Sequence, residues 1–213
     1  MNKTIDKMLD KREMIFISST NRSDARNFHV SDYYRTPIPK IKEFLSEFSK
    51  HENILNSKIR ILDPCAGGDN TNQMSYPTAI QEFSNQDISI DTIDIRDDSR
   101  ANLKQDYLKF QPKEKYDVII TNPPFNLSLD IINKALNDVK EGGFVIMLLR
   151  LNCLGGKVRQ ELWKNNMPKY IFVHNKRMSF TDNGKTDSIE YAHFVWKKGY
   201  NPNFSKLKVL ISK

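Results

Sequence analysis

Two periodicities run along this chain, and their succession predicts strand, helix, strand, helix. Ile38, Ile41, Leu45 and Phe48 recur at helical spacing behind Thr36-Pro37, a helix start with Thr at the cap and Pro at the first position. Residues 58–63 (KIRILD) form a short apolar run ending in Asp-Pro, which reads as a buried strand. Residues 76–85 read as a helix. Residues 89–95 (SIDTIDI) alternate and are β-branched, which predicts a strand ending near Asp94, and a weaker third strand precedes Asp106. Residues 116–121 (YDVIIT) predict a strand running into Asn122-Pro123-Pro124-Phe125. Asn126 then caps a helix whose apolar face is Ile132, Ala135, Leu136 and Val139, and Gly142-Gly143 ends it. Residues 144–149 are a fully apolar strand, 155–165 a polar helix, and 170–174 and 190–196 two more strands.

Strands alternating with helices imply βαβ units, hence an α/β fold: a doubly wound, mostly parallel sheet with helices on both faces. Right-handed crossovers bring the strand C-terminal ends to one edge, where such sheets bind ligands. At 213 residues the chain is read as one domain over 31–213, preceded by a polar N-terminal arm over 1–30. A short helix over 1–14 and a polar stretch over 18–27 are expected within that arm. No internal repeat or low-complexity tract is visible.

Composition narrows the function classes. Apolar residues make up 38% of the chain, and no run approaches the ~20 residues of a membrane helix. The N-terminus is polar with no apolar signal region. Cys65 and Cys153 stand far apart with neither a CxxC nor a His pair nearby. A disulfide scaffold and a zinc site are therefore not expected, and a cytoplasmic protein without metal is. The net charge is +7, distributed as +4 over residues 1–60, −5 over 61–150 and +8 over 151–213. Basic ends around an acidic centre point to a polyanion such as nucleic acid; an ordinary solvated surface is the plainer reading.

The unusual residues fall at the expected ligand edge. Asp63-Pro64-Cys65-Ala66-Gly67-Gly68-Asp69 directly follows the first strong strand. Its glycines permit a tight turn and close approach of backbone to a ligand, but it is neither GxGxxG nor a P-loop. Asp94 ends the next strand, where a carboxylate accepts both hydroxyls of a ribose. Together Asp63, Asp94 and the Gly-Gly turn point to an adenosine-containing cofactor. In Asn122-Pro123-Pro124-Phe125 the prolines stop the ladder and fix the backbone. The Asn side chain and the Pro123 carbonyl are then two rigid acceptors, suited to the two hydrogens of an exocyclic amine. Phe125 offers a flat face for a planar base.

In this order and near these spacings, DPCAGGD (63–69), the acid of DTIDIR (91–96) and NPPF (122–125) resemble the class I S-adenosylmethionine-dependent methyltransferases. NPPF resembles the tetrapeptide of the adenine-N6 enzymes, and residues 32–37 (DYYRTP) look like that family's upstream cofactor-side motif. Residues 175–196 are similar to the tail of small phage- and mobile-element-type members, so the likeness covers roughly 32–199. It implies a seven-stranded Rossmann-like methyltransferase sheet and S-adenosylmethionine as cofactor. The cofactor would lie against Tyr34, Thr36 and Pro37, and against Asp63, Pro64, Cys65, Ala66 and Gly67 of the turn. Asp94 and Ile95 would face its ribose side, and Asp106 with Tyr107 its adenine. Asn122, Pro123, Pro124 and Phe125 would carry the chemistry on adenine N6 in DNA. A base in a duplex would have to be flipped out to reach them.

There are two departures: Phe125 stands where many members have Tyr, and Asp69 where many have Gly. No large target-recognition domain is visible. Strand contacts are expected from Lys157, Arg159 and Lys164, and from Lys176, Arg177 and Lys185, with Arg22 and Arg26 of the arm as weaker candidates. His193 reads as packed within a strand, and no histidine is assigned as a base. Adenine in RNA, a protein glutamine amide, and a non-catalytic nucleic-acid-binding subunit are the competing readings.

Overall fold

The structure is a computed structural model that describes residues 34–55, 58–84, 88–180, 186 and 188–212. Eight strands form its sheet: β1 (Ile61–Asp63), β2 (Ile90–Asp94), β3 (Leu103–Lys104), β4 (Tyr116–Thr121), β5 (Val139–Arg150), β6 (Tyr170–His174), β7 (Tyr191–Lys197) and β8 (Lys206–Leu210). Their order is β3-β2-β1-β4-β5-β7-β6-β8. All neighbours pair in parallel except β7, which runs antiparallel to both β5 and β6. The C-terminal ends of β1, β2, β4, β5 and β6 therefore share one rim.

Among the described residues four α-helices cover the strands. In α1 (Ile38–Phe48) the buried residues are Ile41, Phe44, Leu45 and Phe48, a single stripe at helical spacing. In α2 (Ser75–Ser84) Tyr76, Ala79 and Ile80 are buried. α3 (Ser128–Asp138) buries Ile131, Ile132, Ala135 and Leu136, and α4 (Gln160–Asn165) is short. Successive strand residues feed different cores, as alternation across a sheet requires. Ile61, Val118, Ile120, Phe144 and Ile146 pack with α1 and α2, whereas Leu62, Ile119, Val145 and Met147 pack with α3.

Several sequence expectations need correction. The sheet has eight strands, not seven. β8 reads Lys-Leu-Lys-Val-Leu, and only Leu210 of it is buried, so an edge strand hides behind its lysines. α1 begins after Pro37 rather than Thr36, and no side chain caps it; Thr36 is buried instead. Asn126 caps nothing: residues 125–127 make a single 3₁₀ turn before α3. That helix ends at Asp138, four residues before Gly142, and β5 starts at once and runs through both glycines. The 155–165 segment is a 3₁₀ turn over Lys157–Arg159 followed by α4.

The glycine pair instead serves the β4–β5 seam, where the register shifts between Tyr116 and Val118. Gly142 has φ +77°, and a Cβ on Gly143 would lie 2.6 Å from the Asp117 carbonyl oxygen. Backbone cannot yield as a flexible side chain does. Gly143→Ala is therefore expected to cost ~1–3 kcal/mol in a denaturant melt, and an unchanged midpoint would show that β5 shifts freely there.

Residues 31–213 cluster as one compact unit. The expected arm, its helix, and Arg22 and Arg26 lie outside the described residues. Among the described residues no helix is long and apolar enough to cross a membrane, and no three metal-ligating side chains converge. Both cysteines are free. His193 is fully buried in β7, 2.9 Å from His174 and 3.0 Å from the Tyr76 hydroxyl, with Phe44 stacked on its ring. Burial drives its pKa well below the ordinary range, and pushes His174 down to about 4 against the pull of Glu43. His193 thus has both ring nitrogens bonded and is a satisfied core group, whereas the His174 Nδ1 is buried without a hydrogen bond, 3.7 Å from Glu43.

Candidate functional site

β1 ends at Asp63, whose carboxylate is fully buried and accepts a hydrogen bond from the Cys65 amide at 3.3 Å. The chain then turns sharply: Gly67 and Gly68 have φ of +65° and +74°, a region that glycine enters without a steric penalty. The turn is held from the neighbouring strand. Asp94, at the end of β2, accepts from the Gly67 amide at 2.7 Å with one oxygen and from the Arg96 amide at 2.9 Å with the other. Further along, the Asn72 side-chain amide, with Thr71, holds the Asp69 carboxyl well below its ordinary range, so the residue that replaces Gly here anchors the far side of the turn.

β4 ends at Thr121, and Asn122 follows. Its Nδ2 donates to the Tyr34 carbonyl at 3.1 Å, which fixes the amide's orientation. Its Oδ1 is buried and receives no hydrogen bond. No donor among the described residues reaches the Pro123 carbonyl either. Arg35, next to Tyr34, donates to the Asn72 side chain. Residues 34–36 thus strap the glycine turn to the end of β4.

Between these elements lies a cavity. Of the residues expected at the cofactor and the reacting amine, Tyr34, Thr36, Pro64, Cys65, Ala66, Asp94, Ile95, Asp106, Tyr107, Asn122 and Pro124 line it. Pro37, Asp63, Gly67, Pro123 and Phe125 do not. Pro37 is the residue before α1, and Asp63 sits beneath the turn as its support. The cavity wall also includes Ser75, Tyr76, Arg96, Leu108, Leu127 and Ile131. The sequence pattern assigns none of these to a ligand site. The one available signal was place: each follows a strand end or the glycine turn by ten residues or fewer. Asp106 accepts from the Leu108 amide at 3.0 Å, and the Tyr107 hydroxyl donates to Asp138 at 2.9 Å, so this part of the wall is braced.

Phe125 is half-buried rather than open. Its ring lies 6.2 Å from that of Tyr34 at 26°, 5.8 Å from Tyr191, and 4.5 Å from the Arg150 guanidinium carbon. Phe180 packs edge-on to both tyrosines. The basic candidates divide. Lys157 and Lys164 are exposed after β5, where Arg159 donates to the Gly155 carbonyl. Lys176 and Arg177 are exposed after β6, beside a shallow groove that also includes Pro37 and Lys40. Lys185 lies outside the described residues.

Burial pushes the Asp63 carboxyl up to about 7; the Thr121 hydroxyl and the Cys65 amide pull it down, and Asp94 adds to the rise. An acid raised from ~3.9 when unfolded stabilises the fold most below that value, and this contribution is lost as pH rises through about 7. Asp63→Asn, which stays neutral, is therefore expected to lose less thermal stability than the parent between about pH 5 and about pH 8. Parallel profiles would show that Asp63 does not titrate there.

No protein-family model matches the chain, and no curated sequence matches it. Solved structures do. A protein from Listeria monocytogenes assigned to the class I S-adenosylmethionine-dependent methyltransferases superposes with a TM-score of 0.60 at 18% identity, over 83% of this chain and 66% of that one. A Pyrococcus horikoshii protein assigned as an RNA methyltransferase gives 0.60 at 14% identity, over 81% of this chain and 91% of that one. The type I restriction enzyme EcoKI M protein gives 0.55 at 16% identity, over 86% of this chain and 49% of that one. The chain thus spans just under two thirds of the Listeria protein and about half of the EcoKI M protein. At such identities the likeness shows the fold, and this chain folds as the S-adenosylmethionine-dependent methyltransferases do.

Proposed function

We propose that the chain methylates the N6 amine of adenine in DNA, with S-adenosylmethionine as donor. The observation that carries this reading is the Asn122 amide. Its NH2 end is tied to Tyr34, and its oxygen sits buried, without a donor, in a residue that lines the cavity. A buried acceptor left without a donor costs ~1–3 kcal/mol, and a ligand N–H removes that cost. The wall also suits the proposed donor. Asp94 stands where ribose hydroxyls can donate to it, Leu108, Leu127 and Ile131 supply an apolar surface, and Asp106 supplies an acceptor beside it.

When bound, S-adenosylmethionine supplies a methyl group activated by its sulfonium. The protein's part is to prepare the amine. An exocyclic amine is a poor nucleophile because its lone pair is delocalised into the ring. Asn122 Oδ1 accepts one N6 hydrogen and the Pro123 carbonyl the other, which draws the nitrogen toward tetrahedral geometry and stabilises positive charge as it develops there. Fixed backbone on both sides holds the amine at attack distance.

Adenine in RNA is the second reading. It is favoured by the match to nearly the full length of the Pyrococcus protein assigned to RNA, against half of the EcoKI M protein. Incubation with methyl-labelled donor and separate pools of duplex DNA, single-stranded DNA, RNA and protein decides between them. Label in N6-methyladenine of DNA is expected. Label in RNA alone selects the second reading, and label confined to protein, or absent from every pool, refutes both.

A further inference from the structure

Arg150 is the last residue of β5, and β5 pairs in parallel with β4, the strand that delivers Asn122. Its guanidinium carbon lies 4.5 Å from the centroid of the Phe125 ring, in the same tetrapeptide as Asn122. It is only partly exposed, yet its Nε is buried with no hydrogen-bond partner, and among the described residues no carboxylate pairs with it. The other partly buried arginines differ. Arg35 donates to Asn72, Arg60 pairs with Asp91, Arg96 pairs with Asp98, and Arg159 donates to Gly155. Arg150 is also absent from the cavity wall, so it does not face the proposed donor.

A guanidinium presents a flat face and an edge of N–H donors. Phe125 takes the face. The donors that remain form a fork whose geometry fits the paired oxygens of a phosphate. Leaving the Nε donor buried without an acceptor is unfavourable, and in the segment that follows, Glu161 accepts from Asn165 while Lys157 and Lys164 add only positive charge. We infer that Arg150 grips a backbone phosphate of the nucleotide whose base enters beside Asn122, and so positions that nucleotide for reaction. This rests on the nucleic-acid reading above. It adds a contact that neither charge distribution nor motif reveals, since Arg150 closes an apolar strand and belongs to no basic cluster.

Arg150→Met keeps an aliphatic stem and removes the guanidinium, with both its donors and its stacking on Phe125; Arg150→Lys keeps the charge and loses the fork. Adenine-containing DNA and RNA oligonucleotides of matched sequence are titrated by fluorescence anisotropy over a range of salt, and S-adenosylmethionine is titrated by calorimetry. The Met variant is expected to bind the preferred strand about tenfold or more weakly. Its log–log salt slope should be shallower by about one, and donor affinity should be unchanged. Lys should restore the slope but not the full affinity. Parent-like affinity and slope in the Met variant would overturn the inference while leaving the proposed function standing. A parallel loss of donor affinity would also overturn it, by assigning Arg150 to the donor. A parent protein that neither binds nor methylates any strand would remove the underlying reading, and this inference with it.

Discussion

Asn122→Ala is expected to lower kcat for methyl transfer by ~10²–10³-fold, the range seen when one preorganised hydrogen-bond partner of a developing charge is removed. Donor affinity should stay within about twofold, because the proposed reading gives the lost atom to the amine and not to the ribose or adenine of the donor. The geometry makes this a demanding test. An asparagine free to rotate presents either end, but here Nδ2 is spent on the Tyr34 carbonyl at 3.1 Å, and only the oxygen is left for a ligand. Single-turnover kinetics with saturating strand separates the chemical step from binding. A variant that transfers at a parent-like rate would mean that the Pro123 carbonyl suffices, or that the amine is held elsewhere. The loss of the Tyr34 bond could loosen residues 34–36, so thermal unfolding of the variant is the companion measurement. A large fall in kcat with an unchanged melting temperature is the result that assigns the role to Oδ1.

What could be read beforehand followed from how strongly each element is written. β4 and β6 match the sequence boundaries residue for residue because YDVIIT and YIFVH are apolar runs with clear stops. The rim could be anticipated because DPCAGGD, Asp94 and NPPF each interrupt the pattern at a strand end. β8 was missed because strand pattern assumes a buried face, and an edge strand whose one buried residue is Leu210 lacks one. The Gly142-Gly143 stop misled for a related reason. A glycine pair after an amphipathic helix reads as a cap, but the constraint that needs it lies across the sheet at Asp117, far away in sequence. The cavity's apolar wall shows the same limit. Leu127 and Ile131 have helix-face spacing, and nothing local says that part of that face borders a cavity rather than core. Arg150 is the clearest instance: its meaning comes from what it touches and from the partner it lacks, and both are facts of tertiary structure.

Asp94→Ala is expected to weaken S-adenosylmethionine binding by about 10- to 150-fold, equivalent to ~1.5–3 kcal/mol for hydrogen bonds to a charged acceptor. Asp94→Asn gives the sharper comparison. Were Asp94 a solvated carboxylate at a strand end, an amide of the same shape would be nearly neutral. Instead both oxygens are engaged, one with the Gly67 amide at 2.7 Å and the other with the Arg96 amide at 2.9 Å. An asparagine can present its oxygen to only one of these; its NH2 must face the other N–H, donor against donor, in a site that is nearly closed to water. The Asn variant should therefore bind almost as weakly as the Ala variant, through a loosened glycine turn as well as a poorer ribose acceptor. Calorimetric dissociation constants for parent, Asn and Ala decide the matter. If Asn binds like the parent and Ala does not, the turn tolerates the mismatch, and Asp94 acts on the ligand alone. If all three agree, the ribose lies elsewhere, and the cavity beside Asn122 needs another occupant.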